Sequence, residues 1–162
     1  VGIFGHSGGG FMSTAALCTY PDFYTAAVSS AGNHDNNIYN QWWGETHNVV
    51  REVKSFEKKT VKDSITGKDT TISVEKIKFE TKIPTNIELA KNLKGYLMLV
   101  TGDVDNNVHP ANTYRVVNEL ILQGKDFDLL ILPNQGHAFE GPYKSYFEKK
   151  KRDYFTKYLL AE

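Results

Sequence analysis

Short, continuously apolar runs separated by small or polar residues set the pattern of this chain. Residues 1–5, VGIFG, are apolar and end in glycine, as a buried central strand would. Small and apolar side chains fill residues 9–20 until Pro21-Asp22 stops them, which predicts a buried helix. Residues 26–30, AAVSS, read as the next strand. Strand, helix, strand in that order is the pattern of a parallel sheet. Residues 31–50 are rich in Asn, His, Trp and Gly without periodicity and predict a loop, with short helical turns around Ile38 to Trp43.

The character then changes. Residues 51–82 are full of Lys, Glu and Thr, with Thr66-Gly67-Lys68-Asp69 as a turn between two extended arms. They predict a protruding β-hairpin, polar on at least one face, whose charges form a solvated surface. Residues 84–93 predict a short helix carrying Ile87, Leu89, Ala90 and Leu93. Residues 95–102, GYLMLVTG, are the clearest strand. Pro110 opens a helix with Tyr114, Val117, Leu120 and Ile121 on one face, stopped near Gly124. Residues 127–132 predict another buried strand, and Pro142 starts a long final helix bearing Tyr146, Tyr154, Phe155 and Leu159. The sum is an α/β layered fold: a mostly parallel sheet flanked by helices, with an inserted β-hairpin.

Composition narrows the partners. The 162 residues carry 19 basic and 19 acidic side chains, so no net field favours nucleic acid or an anionic membrane. No apolar run approaches the roughly 20 residues of a spanning helix. One cysteine, Cys18, rules out an internal disulfide and a multi-cysteine zinc site, and its apolar neighbours predict a buried, inert thiol. Val1 opens directly into a strand one turn before a Gly-rich segment, which is expected of a piece of a longer protein; a targeting segment therefore cannot be judged from this chain.

Gly5-His6-Ser7-Gly8-Gly9 matches G-x-S-x-G between a predicted strand and a predicted helix. A serine on so sharp a turn sits in a strained backbone and needs small neighbours. The N–H of Gly8 then faces the site of a developing oxyanion. Neither phosphate-binding glycine spacing fits. An elbow serine requires a base and an orienter, in the order Ser, Asp, His on loops after later strands. Asp103 and Asp105 follow one strand and His137 follows the next, so all reach the same sheet edge as Ser7. His6, His34, His47 and His109 are placed less well for a base. Asp103-Val104-Asp105-Asn106-Asn107 begins like a calcium loop, but Val108 stands where glycine is required and Tyr114 where glutamate is. The histidines lack zinc spacing. Neither metal nor cofactor is implied.

Three blocks, Gly5-His6-Ser7-Gly8-Gly9-Gly10-Phe11, the run Thr101-Gly102-Asp103-Val104-Asp105-Asn106-Asn107-Val108-His109, and Gly136-His137, resemble the prolyl oligopeptidase family of serine peptidases, nearest its dipeptidyl peptidase IV-like branch. The resemblance covers nearly the whole chain apart from the hairpin. It implies the C-terminal portion of an α/β-hydrolase catalytic domain, with the upstream strands and a β-propeller outside this chain. It makes Asp105 the acid, rather than Asp103. It assigns Asn107 to a substrate carbonyl and Val108 to the pocket before the cut. Tyr39, with Trp42 or Trp43, is assigned to the proline pocket. It further implies a peptide substrate and a secreted or periplasmic setting, while the second oxyanion donor and the anchors for a free amine lie upstream. Gly8 departs from the tyrosine of the dipeptidyl branch, leaving exopeptidase and endopeptidase open. A carboxylesterase or lipase on the same fold, and a non-catalytic module with the hairpin as a docking arm, are the competing readings. A sheet missing its first strands also presents an edge that a second copy could pair with.

Overall fold

The computed structural model describes residues 1–47, 50–62, 64–80, 83 and 85–160. In chain order the elements are β1 (Gly2–His6), α1 (Gly8–Thr19), β2 (Ala26–Ser30), α2 (Gln41–His47), β3 (Arg51–Lys62), β4 (Asp69–Glu80), α3 (Asn86–Leu89) with a 3-10 turn at Ala90–Asn92, β5 (Tyr96–Gly102), α4 (Ala111–Leu122), β6 (Asp128–Leu132) and α5 (Gly141–Phe155), which runs into a π-helical turn at Thr156–Leu160. They form two compact units, one from the described residues of Val1–Asn40 and Pro84–Glu162, the other from those of Gln41–Ile83.

The larger unit is a parallel sheet in the order β1-β2-β5-β6. Alternate residues of a strand face opposite sides, and both sides are packed. Ala27, Leu97 and Leu99 meet Leu17 and Cys18 of α1 and Val116 and Leu120 of α4. Ala26, Val28, Met98 and Val100 meet Phe147 and Tyr154 of α5. Three layers result, and the central strands β2 and β5 are largely apolar on both faces. Cys18 is buried as expected, and burial pushes its thiol pKa up to about 11.

Position in the sheet overrides local hydrophobicity at its margins. β6 is predicted as a buried strand, yet it is an outer strand of this sheet. Leu129 and Ile131 are exposed on it. The buried face of α4 also differs from the predicted one. Asn112, Thr113, Val116 and Leu120 point inward, whereas Tyr114 and Ile121 are exposed. Asn112 can be buried because its side chain accepts from the Asp35 N–H at 3.1 Å and donates to the His109 carbonyl at 3.3 Å. On α5, Tyr146 is exposed and Phe147 takes the inward place, beside the expected Tyr154. Within residues 84–93, α3 is capped by Thr85, which exchanges hydrogen bonds with Glu88; Pro84 lies outside the described residues.

The smaller unit holds α2 and the expected hairpin. β3 and β4 pair antiparallel over twelve residues each, from Arg51↔Glu80 to Lys62↔Asp69. The second arm begins at Asp69, so the connection centres a few residues before the predicted turn; Gly67 takes φ 64° there. Diagonal ion pairs Lys54–Glu75 and Lys76–Glu57, both 2.9 Å, decorate it, and exposed pairs of this kind stabilise little. Lys82, the predicted end of the hairpin, lies outside the described residues.

Residues 31–36, within the predicted loop, are all buried. His34 accepts from the Asn86 side-chain amide at Nδ1, 2.8 Å away, and the same amide donates to the Phe11 carbonyl. Burial lowers the His34 pKa from 6.5 to about 3. The unfolded chain therefore takes up a proton on His34 well before the folded chain does. Stability is full above about pH 6.5 and declines as pH falls towards 3, by about 3 kcal/mol at pH 4. Urea unfolding at pH 7 and pH 4 should show this loss, and His34→Gln should flatten the pH dependence. An unchanged slope in that variant would refute the assignment.

Candidate active site

Three of the predicted residues meet at the carboxyl edge of the sheet, each carried by the segment after a different strand. Ser7 follows β1 with φ 58° and ψ −124°, a conformation that L residues rarely adopt and that costs about 1–3 kcal/mol. It is held from both sides: its N–H donates to the Ser30 carbonyl at 2.9 Å, and its carbonyl accepts from Phe11 N–H as α1 begins. The glycines explain the sharpness of the turn. A Cβ on Gly5 would collide with the backbone of Gly9, and one on Gly10 with the Ser30 carbonyl, whereas one on Gly9 would meet nothing. Gly8 opens α1, so its N–H is among those with no acceptor inside the helix.

Asp105 follows β5 and is almost wholly buried, while Asp103 is exposed. One Asp105 oxygen accepts the backbone N–H groups of Asn107 and Val108, each at 2.9 Å. The other accepts from His137 Nδ1 at 2.8 Å. A carboxylate only accepts, so the His137 proton resides on Nδ1 and Nε2 is left as an acceptor. Ser7 Oγ donates to that Nε2 at 2.9 Å. His137 lies beyond β6 on a loop that passes tightly over β5: a Cβ on Gly102 would collide with the Gln135 carbonyl. The arrangement can shift a proton from a hydroxyl to an imidazole backed by a buried carboxylate.

The other predicted residues are placed less uniformly. The Tyr39 hydroxyl donates to the Asn107 side-chain oxygen at 2.8 Å, bringing those two together beside Asp105's loop. Val108 is buried. Trp42 and Trp43 stack edge-on at 5.8 Å in α2 of the smaller unit. Residues that sequence reasoning passed over are His6, whose ring lies 4.9 Å from that of His137, and Ser30, which anchors the elbow. Only their adjacency to the motif and to the end of β2 could have flagged them. Among the described residues no group of three or more metal-ligating side chains occurs, and no helix is long and apolar enough to cross a membrane.

A profile of the prolyl oligopeptidase family matches residues 1–162. This chain belongs to that family. A curated relative, dipeptidyl peptidase family member 1 of Caenorhabditis elegans, is 29% identical over 139 residues, which cover 85% of this chain and 14% of the relative. Among solved structures, dipeptidyl peptidase 4 of Porphyromonas gingivalis superposes with a TM-score of 0.71 at 20% identity, covering 98% of this chain and 19% of the other. A Bacteroides ovatus protein described as a dipeptidyl aminopeptidase IV gives the same TM-score and coverage at 22% identity. The chain thus spans less than a fifth of the length of these members and similar structures. The structural likeness establishes the α/β-hydrolase fold for this member of the prolyl oligopeptidase family.

Proposed function

We propose that this chain is the C-terminal part of the catalytic domain of a serine peptidase that cleaves after proline, with Ser7 as nucleophile, His137 as base and Asp105 as orienter. The observation that carries the reading is the continuous hydrogen-bonded line from Ser7 Oγ through His137 to Asp105, at 2.9 and 2.8 Å, drawn from three separate loops. Ser7 attacks the scissile carbonyl as its proton passes to His137 Nε2; the imidazolium so formed is stabilised by Asp105 and later protonates the leaving amine. The Gly8 N–H donates to the oxyanion, a contribution of about 10²–10³ in rate. Asn107, with its amide oxygen already engaged by Tyr39, presents its NH₂ to a substrate carbonyl. Val108 and Tyr39 contribute to the pocket for the residue before the cut. The strands and β-propeller that complete the molecule lie outside this chain.

A fluorogenic Xaa-Pro amide and a short acyl ester separate peptidase from esterase. The full-length enzyme should turn over the amide with the higher kcat/KM. Ester hydrolysis with no amide turnover would overturn the proline-directed peptidase reading and favour a carboxylesterase.

A further inference from the structure

His6 precedes the nucleophile and is not needed by the triad; although the residue is exposed, its ring contacts three neighbours. The Ser30 hydroxyl donates its one proton to the Gly5 carbonyl at 3.1 Å, so at 3.0 Å it accepts from His6 Nδ1–H. His6 and Ser30 are also direct partners in the β1–β2 register. On the other side the His6 ring meets His137 at 4.9 Å between centroids and Phe139 edge-on at 5.5 Å. Phe139 in turn packs edge-on against Phe147 of α5 at 5.3 Å. One edge of the His6 ring remains open to solvent, but the packed part lowers its pKa, and the charge of a protonated His137 lowers it further. His6 is therefore a neutral ring gripping residues 137 and 139 of the loop that carries the base.

We propose that His6 is a positioning residue that clasps the base-bearing loop to the nucleophile elbow, keeping His137 Nε2 within reach of Ser7 Oγ. The base rides on a segment without regular secondary structure beyond β6; Gln135 is held there by the Val104 and Glu140 N–H groups and Phe139 by the core, while His137 itself is held by its two side-chain hydrogen bonds and the His6 ring. A ring attached to the residue beside Ser7 ties the base to the nucleophile directly, and small misplacements of such pairs are costly. The clasp rests on the triad reading above.

The test is the rate at which a fluorophosphonate labels Ser7 in the full-length enzyme, with kcat and KM for an Xaa-Pro amide measured alongside. His6→Ala should slow labelling and lower kcat by ~10–100-fold while KM stays within about twofold. His6→Phe, which keeps a ring without the donor, should recover most of the rate. His6→Asn, which keeps a donor near the Nδ1 position without the ring, should remain slow. Equal labelling in His6→Ala, recovery by Asn but not Phe, or a rise in KM with unchanged kcat would each overturn the clasp. A wild-type enzyme that is not labelled at all defeats the triad reading itself, which is a separate result.

Discussion

Replacing Ser7 by alanine in the full-length enzyme is expected to lower kcat for Xaa-Pro substrates by about 10⁶-fold. The change removes the attacking atom and little else. Alanine has the same backbone cost as serine at φ 58°, and the Ser7 N–H and carbonyl keep their bonds to Ser30 and Phe11. His137 Nε2 loses its donor, but its side chain is 24% exposed and water can replace the bond. The thermal midpoint should therefore stay close to wild type while turnover and fluorophosphonate labelling vanish. Undiminished hydrolysis by a folded Ser7→Ala protein would remove the nucleophile assignment.

Asp105→Asn is expected to cost about 10⁴-fold in kcat through a different route. The Asp105 oxygen that accepts from the N–H groups of Asn107 and Val108 can be replaced by the asparagine oxygen, so the loop keeps its shape. The asparagine NH₂ then faces His137 Nδ1, where a carboxylate accepted before. Two donors cannot share that bond, so the imidazole shifts its proton to Nε2. In that tautomer Nε2 donates and cannot take the Ser7 proton. Activity should recover at high pH less than a simple loss of charge would allow, because the tautomer persists. A variant with near-normal kcat would show that Asp105 does not orient the base.

The meeting of Ser7, His137 and Asp105 was legible in the sequence because local signals lead to the loops that carry them. Glycines mark the elbow, the unbroken apolar run of β5 leads to a loop with Asp103 and Asp105, between which the family resemblance chooses Asp105, and β6 leads to His137. The middle strands could be read because a strand covered on both faces is largely apolar; the buried Ser29 and Ser30 of β2 donate to the Gly10 and Gly5 carbonyls. What could not be read depends on neighbours far along the chain. Ile131 is as apolar as a core residue, and only its place on the outer strand β6 leaves it open. Asn112 looks like a surface residue until the Asp35 N–H is seen to engage it, and His34 until its Nδ1 is seen to accept from Asn86. Polar residues without periodicity predict a loop after β2, and nothing in their pattern indicates that residues 31–36 are buried. The partnership of Tyr39 with Asn107 crosses 68 positions, a distance over which no pattern in the sequence operates.

The bond between Ser7 and His137 closes a loop of 130 residues, and that between Asp105 and His137 closes one of 32. Contacts so distant in the chain form late, because the entropy of closing them is recovered only once the intervening strands are paired. On the proposed assignment Ser7 is therefore a reporter of chain assembly: it would become nucleophilic when β1, β2, β5 and β6 stand side by side in register. Titrating a refolding sample with a fluorophosphonate would then count completed molecules, and a partly zipped sheet, however rich in secondary structure, would remain invisible to it.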